Sequence, residues 1–481
     1  MNRRGIVVIA ALLVALVALV IVVRACAHRF AEGSEAGGHA SRGPGSGSGD
    51  AAGPRCVRAG SVILGNGLSR GGLLVGEAVA AADGYAVGVI RAVGKERRSM
   101  VARVSSNGER VTFVDVGPAL GELPPPLPFV QRGALFAASY VRSAAQKGLD
   151  APRTLAIVRI GDARDGKAAP FAEIPQQSDE SMALDVATSP EGRAIVVWDE
   201  DATPAGAGGP SPAAADAPRG GPPPAPVDLQ RTRARGVIKV LPVPNDPVKG
   251  DPNGSPAIVS SSGADVERPR AIARAGGYWV AWIARRLDPR GESDPKALEG
   301  PGEDRSYAWV EMAKVDDGGK RVGDVRRVTS DAGHATAFDW VAGEGGKLDL
   351  FVRDDAEMSQ EGDGGRILRI AVREDGPQAP EAMVGAGVGL GDPAALGGPG
   401  GRWLFYADIA EHTHGIFLDS AVGVAVAPAT EASTLEPLLD GKSPLLGTLE
   451  ARNTLVLAVG PATADPDVAE AHILRCEALN R

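Results

Sequence analysis

Apolar runs of seven to nine residues recur along the chain, each introduced by a turn: Gly84–Ile90, Gly133–Val141, Gly192–Glu200, Gly277–Ala284, Gly346–Asp354, Gly401–Asp408 and Asn453–Gly460. Each is followed, after a connection of variable length, by a second run with period-two alternation: Ser99–Ser106, Thr154–Gly161, Gly236–Val243, Ala308–Asp316, Arg366–Glu374, Gly423–Ala429 and Ala471–Leu479. Short length, β-branched and aromatic enrichment and Gly/Asp boundaries predict strands in both sets. Shorter runs flank these pairs, such as Glu77–Ala82 ahead of the first and Val111–Val116 behind it. The chain therefore reads as seven repeats of four strands.

Turn residues supply the period. Asn107-Gly108, Asp165-Gly166, Asp317-Gly318 and Asp375-Gly376 are hairpin signals of the kind that take positive φ. Asn107 to Asp165 is 58 residues, and so is Asp317 to Asp375. Units between them run late by the lengths of two visible insertions, the low-complexity stretch 203–226 and the acidic stretch Pro289–Asp304. Four strands in roughly 55 residues is the pattern of a propeller blade.

The stretch Arg268–Ser330 shows a whole unit (RPRAIARAGGYWVAWIAR…YAWVEMAKVDDGGKRVGDVRRVTS) and resembles the repeats of bacterial secreted and envelope β-propellers. The resemblance is one of architecture and implies no particular activity. The expected fold is all-β, a seven-bladed β-propeller spanning 55–481, with six or eight blades as alternatives. The seventh unit stops without a trailing strand. Residues Cys56–Leu64 are expected to supply it, so that N- and C-terminal strands share one sheet and no long edge is exposed.

The first 30 residues have another character. Arg3 and Arg4 precede an unbroken apolar run from Ile6 to Val23. At about 1.5 Å per residue, a helix of this length nearly spans a bilayer core of ~30 Å. An uncleaved signal anchor is the expectation. Cleavage after Ala27 is an alternative, as is lipidation at Cys26, because Val23-Arg24-Ala25-Cys26 approaches a bacterial lipobox with Arg24 out of pattern. Each fate leaves the bulk extracytoplasmic, in a bacterial periplasm or at a cell surface, or secreted if cleaved. Residues 31–54, rich in Gly, Ser and Ala, read as a flexible tether.

A net charge of −9 argues against nucleic acid as a partner, since no basic surface is available to release counterions. Cys26, Cys56 and Cys476 are the only three cysteines. With Cys26 at the membrane border, Cys56 and Cys476 are the expected disulfide, joining the neighbouring strands of the last blade in an oxidising compartment. Two unpaired thiols are the alternative.

Chemistry is sparse. Glu411-His412-Thr413-His414 is the one tempting cluster: imidazoles at i and i+2 of a strand share a face, so His412 and His414 could hold a metal with Asp408 or Asp419. The segment is expected in a loop between the second and third strands of the sixth blade, where an exposed polar loop is the favoured explanation. No nucleophile elbow, phosphate loop, calcium loop or aspartate box is present, and no cofactor is expected. The six Trp residues fall in strand runs and read as core.

The functional expectation is a non-enzymatic, membrane-anchored module binding a protein or a glycan. A channel-centred hydrolase or lyase, or a purely structural envelope protein, are the alternatives. Asp185 and Asp339 begin strands and are placed to point into a central channel. Three or more carboxylates or histidines converging there would favour the enzyme.

Overall fold

The computed structural model describes residues 56–476 except 69–70, 120–122, 143–152, 162–165, 176–182, 202–235, 249–254, 262–263, 287–306, 343–346, 356–364, 374–375, 390–391, 399–400, 408–412, 420–432, 435–448, 453–454 and 463–464. The expected helix and anchor of 1–30, the tether 31–54, the insertion 203–226, Cys26 and His412 lie outside the described residues. Among those described there is no helix, and none therefore long and apolar enough to cross a membrane.

Alternation of apolar and polar positions lets each strand bury one or both faces, and consecutive strands pair across connections that range from tight turns to the long stretches between β11 and β12 and between β15 and β16. After β1 (Cys56–Asn66), the first sheet is β2 (Leu73–Ala81), β3 (Gly84–Val93), β4 (Glu96–Ser105) and β5 (Val111–Pro118). The second is β6 (Leu127–Gln131), β7 (Ala134–Arg142), β8 (Arg153–Arg159) and β9 (Ala169–Pro175). The third is β10 (Leu184–Thr188), β11 (Ala194–Asp201), β12 (Gly236–Pro242) and β13 (Ala257–Ile258). The fourth is β14 (Asp265–Arg274), β15 (Gly277–Arg286), β16 (Tyr307–Val315) and β17 (Arg321–Arg327).

The fifth sheet is β18 (Ala335–Ala342), β19 (Leu348–Asp354) and β20 (Gly365–Arg373), the last flanked by both β21 (Gly376–Pro377) and β22 (Glu381–Gly389). The sixth is β23 (Ala394–Gly398), β24 (Gly401–Ala407), β25 (Thr413–Asp419) and β26 (Ser433–Thr434). The last is β27 (Leu449–Arg452), β28 (Leu455–Ala462) and β29 (Asp465–Cys476), with β1 as its outer strand. Among the described residues the named strands pair antiparallel, so the all-β class is borne out, and six sheets have four strands while the fifth has five.

The first strands of successive sheets neighbour one another in chain order, β2 beside β6, β6 beside β10, and so on to β23 beside β27, while β27 also neighbours β2. Apolar cores lie between sheets rather than inside them. Phe129, Leu155 and Ile174 of the second sheet pack with Val196 and Trp198 of the third. Val197 and Ile238 of the third meet Tyr278 and Trp282 of the fourth. Leu73 and Val87 of the first meet Leu457, Ala471 and Ile473 of the last. The expected tryptophan roles follow: Trp198 and Trp282 are fully buried, and Trp198 donates its indole N–H to Glu200 at 3.0 Å.

Two local expectations are corrected. The strand that follows β24 in the sixth unit is Thr413–Asp419, expected as part of a loop, because the apolar triplet Ile416-Phe417-Leu418 pairs along β24; Gly423–Ala429, the expected third strand, lies outside the described residues. In the Asp317-Gly318 turn the positive φ falls on Gly319, at 78°, since Asp316 Oδ1 accepts from the amides of Gly318 and Lys320 and sets the turn one residue later.

Candidate functional site

Three inner strands depart from regular pairing at one end of the sheet array. In β2 the register breaks between Val75 and Ala78, leaving Gly76 and Glu77 bulged. In β14 it breaks between Glu267 and Arg270, leaving Arg268 and Pro269 bulged. In β18 Thr336 is bulged between Ala335 and Ala337. Bulges re-aim side chains and gather beside functional sites. Here they border one cavity of about 250 Å³, whose wall includes Glu77, Arg268, Arg270, Phe338 and Asp392.

Local sequence explains the geometry. Pro269 has no N–H to offer the β15 ladder, so β14 cannot run straight through it. Arg268 takes φ 52°, a left-handed conformation rare for a non-glycine residue, and its amide is held by Asp199 Oδ2 at 3.3 Å. Gly76 is required by close approach: a Cβ there would sit 2.9 Å from Pro125 on the cavity wall.

Arg270 dominates the electrostatics. From the fourth sheet it reaches the first, donating from Nη1 to Glu77 Oε1. Its side chain is 34% exposed and that of Glu77 38%, because both border the cavity. Burial works against the guanidinium's charge, but Glu77, Asp185 and Asp339 outweigh it and raise its proton affinity. Arg268 meets the carboxylate of Asp392 at 3.8 Å and donates to the Thr336 carbonyl at 3.0 Å.

Asp185 and Asp339 both act electrostatically on the guanidinium that Glu77 contacts. Their detail is unlike that of a reactive acid. Asp185 Oδ1 accepts from the amide of Val186 at 2.8 Å and Oδ2 from that of Ala271 at 2.7 Å, tying the third sheet to the fourth. Asp339 does the same between the fifth and sixth sheets, accepting from Trp340 at 2.9 Å and Ala395 at 2.8 Å. Neither borders the cavity. Burial raises Asp185 to about 7, against the lowering effect of Arg270 and the two amides, with Glu77 adding to the rise. Burial likewise raises Asp339 to about 6.

Glu77, Arg268 and Arg270 escaped the sequence reading. The available signals were Pro269 between two arginines inside a strand run, and Gly76-Glu77 interrupting an apolar one. His414 lies within β25, opposite Tyr406, and not in a loop; His412, its proposed companion, is outside the described residues. Among the described residues no group of three His, Cys, Asp or Glu side chains could hold a metal. Cys56 and Cys476 are cross-strand partners in the β1–β29 register.

No protein family matches the sequence, and no curated protein matches it. Solved structures do resemble it. A polysaccharide lyase, an ulvan lyase, superposes with a TM-score of 0.53 at 8% identity, over 88% of this chain and 98% of that one. The polysaccharide lyase Uly1 gives 0.47 at 8% identity over 86% and 91%. A puromycin-hydrolysing peptidase of Mycobacterium tuberculosis gives 0.46 at 14% over 87% of this chain, which spans about half, 54%, of the peptidase. At these identities the likeness concerns the fold alone, and the first of them supports a propeller-like arrangement of the sheets.

Proposed function

We propose that the chain is a seven-bladed propeller, held outside the cytoplasm by residues 6–23, that binds a glycan end in the cavity at its axis. The observation that carries this reading is the pairing of charges on the cavity wall. Each carboxylate that borders it, Glu77 or Asp392, stands against an arginine, Arg270 or Arg268. Such a wall offers hydroxyl groups both acceptors and donors without presenting a lone charge. Prolines 125, 269 and 393, with Phe338, add rigid apolar surface for a sugar face. The cavity, about 250 Å³, is just below the roughly 300–1,000 Å³ of sites that take drug-sized ligands, a size suited to one terminal sugar unit.

A channel-centred hydrolase or lyase is the second reading. It is favoured by the electrostatic action of Glu77, Asp185 and Asp339 on Arg270, and by the two proton affinities near neutrality. Against it, both buried aspartates stand behind the wall with each oxygen engaged by a main-chain amide.

One experiment separates the readings. Full-length protein is screened against an array of envelope and extracellular polysaccharides, and the bound glycans are then assayed for chain cleavage. Binding without cleavage, reduced at least tenfold in Glu77→Gln and Arg268→Ala, supports the first. Cleavage abolished by Asp185→Asn or Asp339→Asn supports the second. Capture of a protein partner at a site insensitive to all four substitutions would overturn both.

A further inference from the structure

We propose that Cys56 and Cys476 form a disulfide that clasps the first strand of the fold to the last. The β1–β29 ladder runs from Cys56 opposite Cys476 to Asn66 opposite Val468, so the two cysteines are its terminal pair. Directly opposed residues of an antiparallel ladder lie roughly 4.5–5.5 Å apart at Cα. A disulfide requires about 4.4–6.8 Å. The register that produces this juxtaposition is keyed by other contacts. At Gly60 the backbone of β1 lies so close to the Asn107-Gly108 turn of the first sheet that a Cβ would meet the Asn107 oxygen at 2.1 Å. Gly108 in turn crowds Ile473 of β29, within 3.0 Å of its own would-be Cβ. Bulges between Arg58 and Gly60 and between Ile63 and Gly65 fix the phase on either side of that lock.

The position matters as much as the distance. The end pair of a ladder is where strands fray. Here fraying would begin to separate the two ends of the chain and open the seam at which the last sheet meets the first. A covalent bond at that pair holds the seam where hydrogen bonds are weakest. Its formation removes one hydrogen from each thiol; the two electrons and two protons pass to the disulfide of a thiol–disulfide oxidoreductase or a small-molecule disulfide, which leaves as two thiols.

The test uses full-length protein made in an oxidising compartment, alkylated without reductant, digested and mapped by mass spectrometry. A peptide pair joining Cys56 to Cys476, two hydrogens lighter than the free thiols, is expected. Alkylation of both cysteines, or a link from Cys26 to either, overturns the proposal. A thermal melt supplies the second measurement. Reductant should lower the Tm of the wild-type protein by about 5 °C, the chain-entropy effect of so long a loop spread over a domain of this size. Cys56→Ser, Cys476→Ser and the double variant should each show the same Tm as the reduced protein, with no further response to reductant. Additive losses in the double variant, or an unchanged wild-type Tm on reduction, overturn the clasp.

Discussion

Two clusters built from the same chemistry, arginine and carboxylate, occupy different parts of the molecule. Between the fifth and sixth sheets, Asp349 accepts from Arg369 Nε at 3.0 Å and from Arg402 Nη1, and Arg369 reaches on to Glu381 at 3.4 Å. The side chain of Asp349 is 2% exposed and the two arginines 10% and 11%. Beside the cavity, Arg270 pairs with Glu77 among Asp185 and Asp339, and the pair is more than a third exposed. The first cluster is buried at Asp349 and its two arginines, with Glu381 at its rim open to solvent. The second keeps part of its hydrogen-bonding capacity on a wall that a ligand can reach. Composition does not distinguish structural charge from recognition; access does.

That contrast orders the effects of substitution. Asp349→Ala should be the most damaging, since it removes the buried carboxylate that the guanidinium groups of Arg369 and Arg402 share. A loss of about 3–5 kcal/mol is expected in denaturant unfolding, and a loss under about 1 kcal/mol would show the cluster to be solvated. Arg270→Met should cost less, roughly 1–2 kcal/mol at neutral pH, because the Arg270–Glu77 pair is already partly exposed to solvent. This loss should shrink below about pH 6, where Asp185 and Asp339 take up protons and no longer need the guanidinium.

The wild-type protein should show a milder trend of the same origin. Burial raises both aspartates above their unfolded value of 3.8, so between about pH 4 and 7 the folded state holds protons that the unfolded state has released. Stability contributed by these groups is present in acid and lost as pH rises through about 6 for Asp339 and about 7 for Asp185. Tm measured from pH 5 to 8 should fall by a few degrees on this account (roughly 4 °C or less), and Asp185→Asn should flatten the upper part of the curve. The smallest effect is expected for Glu77→Gln, within about 0.5–1 kcal/mol, as for a half-open ion pair. A larger loss there would make the pair a structural element like its buried counterpart.

Much of the architecture was legible. Runs such as Gly192–Glu200 and Gly277–Ala284 are β11 and β15 almost residue for residue, because a strand buried on both faces leaves a continuous apolar signature. The place of β1 beside β29 was legible from a count: seven units, one of them a strand short. Thr413–Asp419 escaped the reading because it opens with polar residues, and its pairing with β24, not its hydropathy, makes it a strand. The cavity was half legible. Asp185 and Asp339 were singled out as strand-start acids, yet their role in joining successive sheets depends on amides of Ala271 and Ala395 that are remote in sequence.

Periodicity and turn chemistry are local properties, written in neighbouring residues, and by themselves they determined most of the strands, the repeating unit and the pairing of the fold's first strand with its last. The tertiary structure alone decided which charges meet. Glu77 and Arg270 lie 193 residues apart and belong to sheets that are not consecutive, so no pattern along the chain couples them. Their encounter follows from two bulges and the arrangement of the sheets, and so does the existence of a cavity between them.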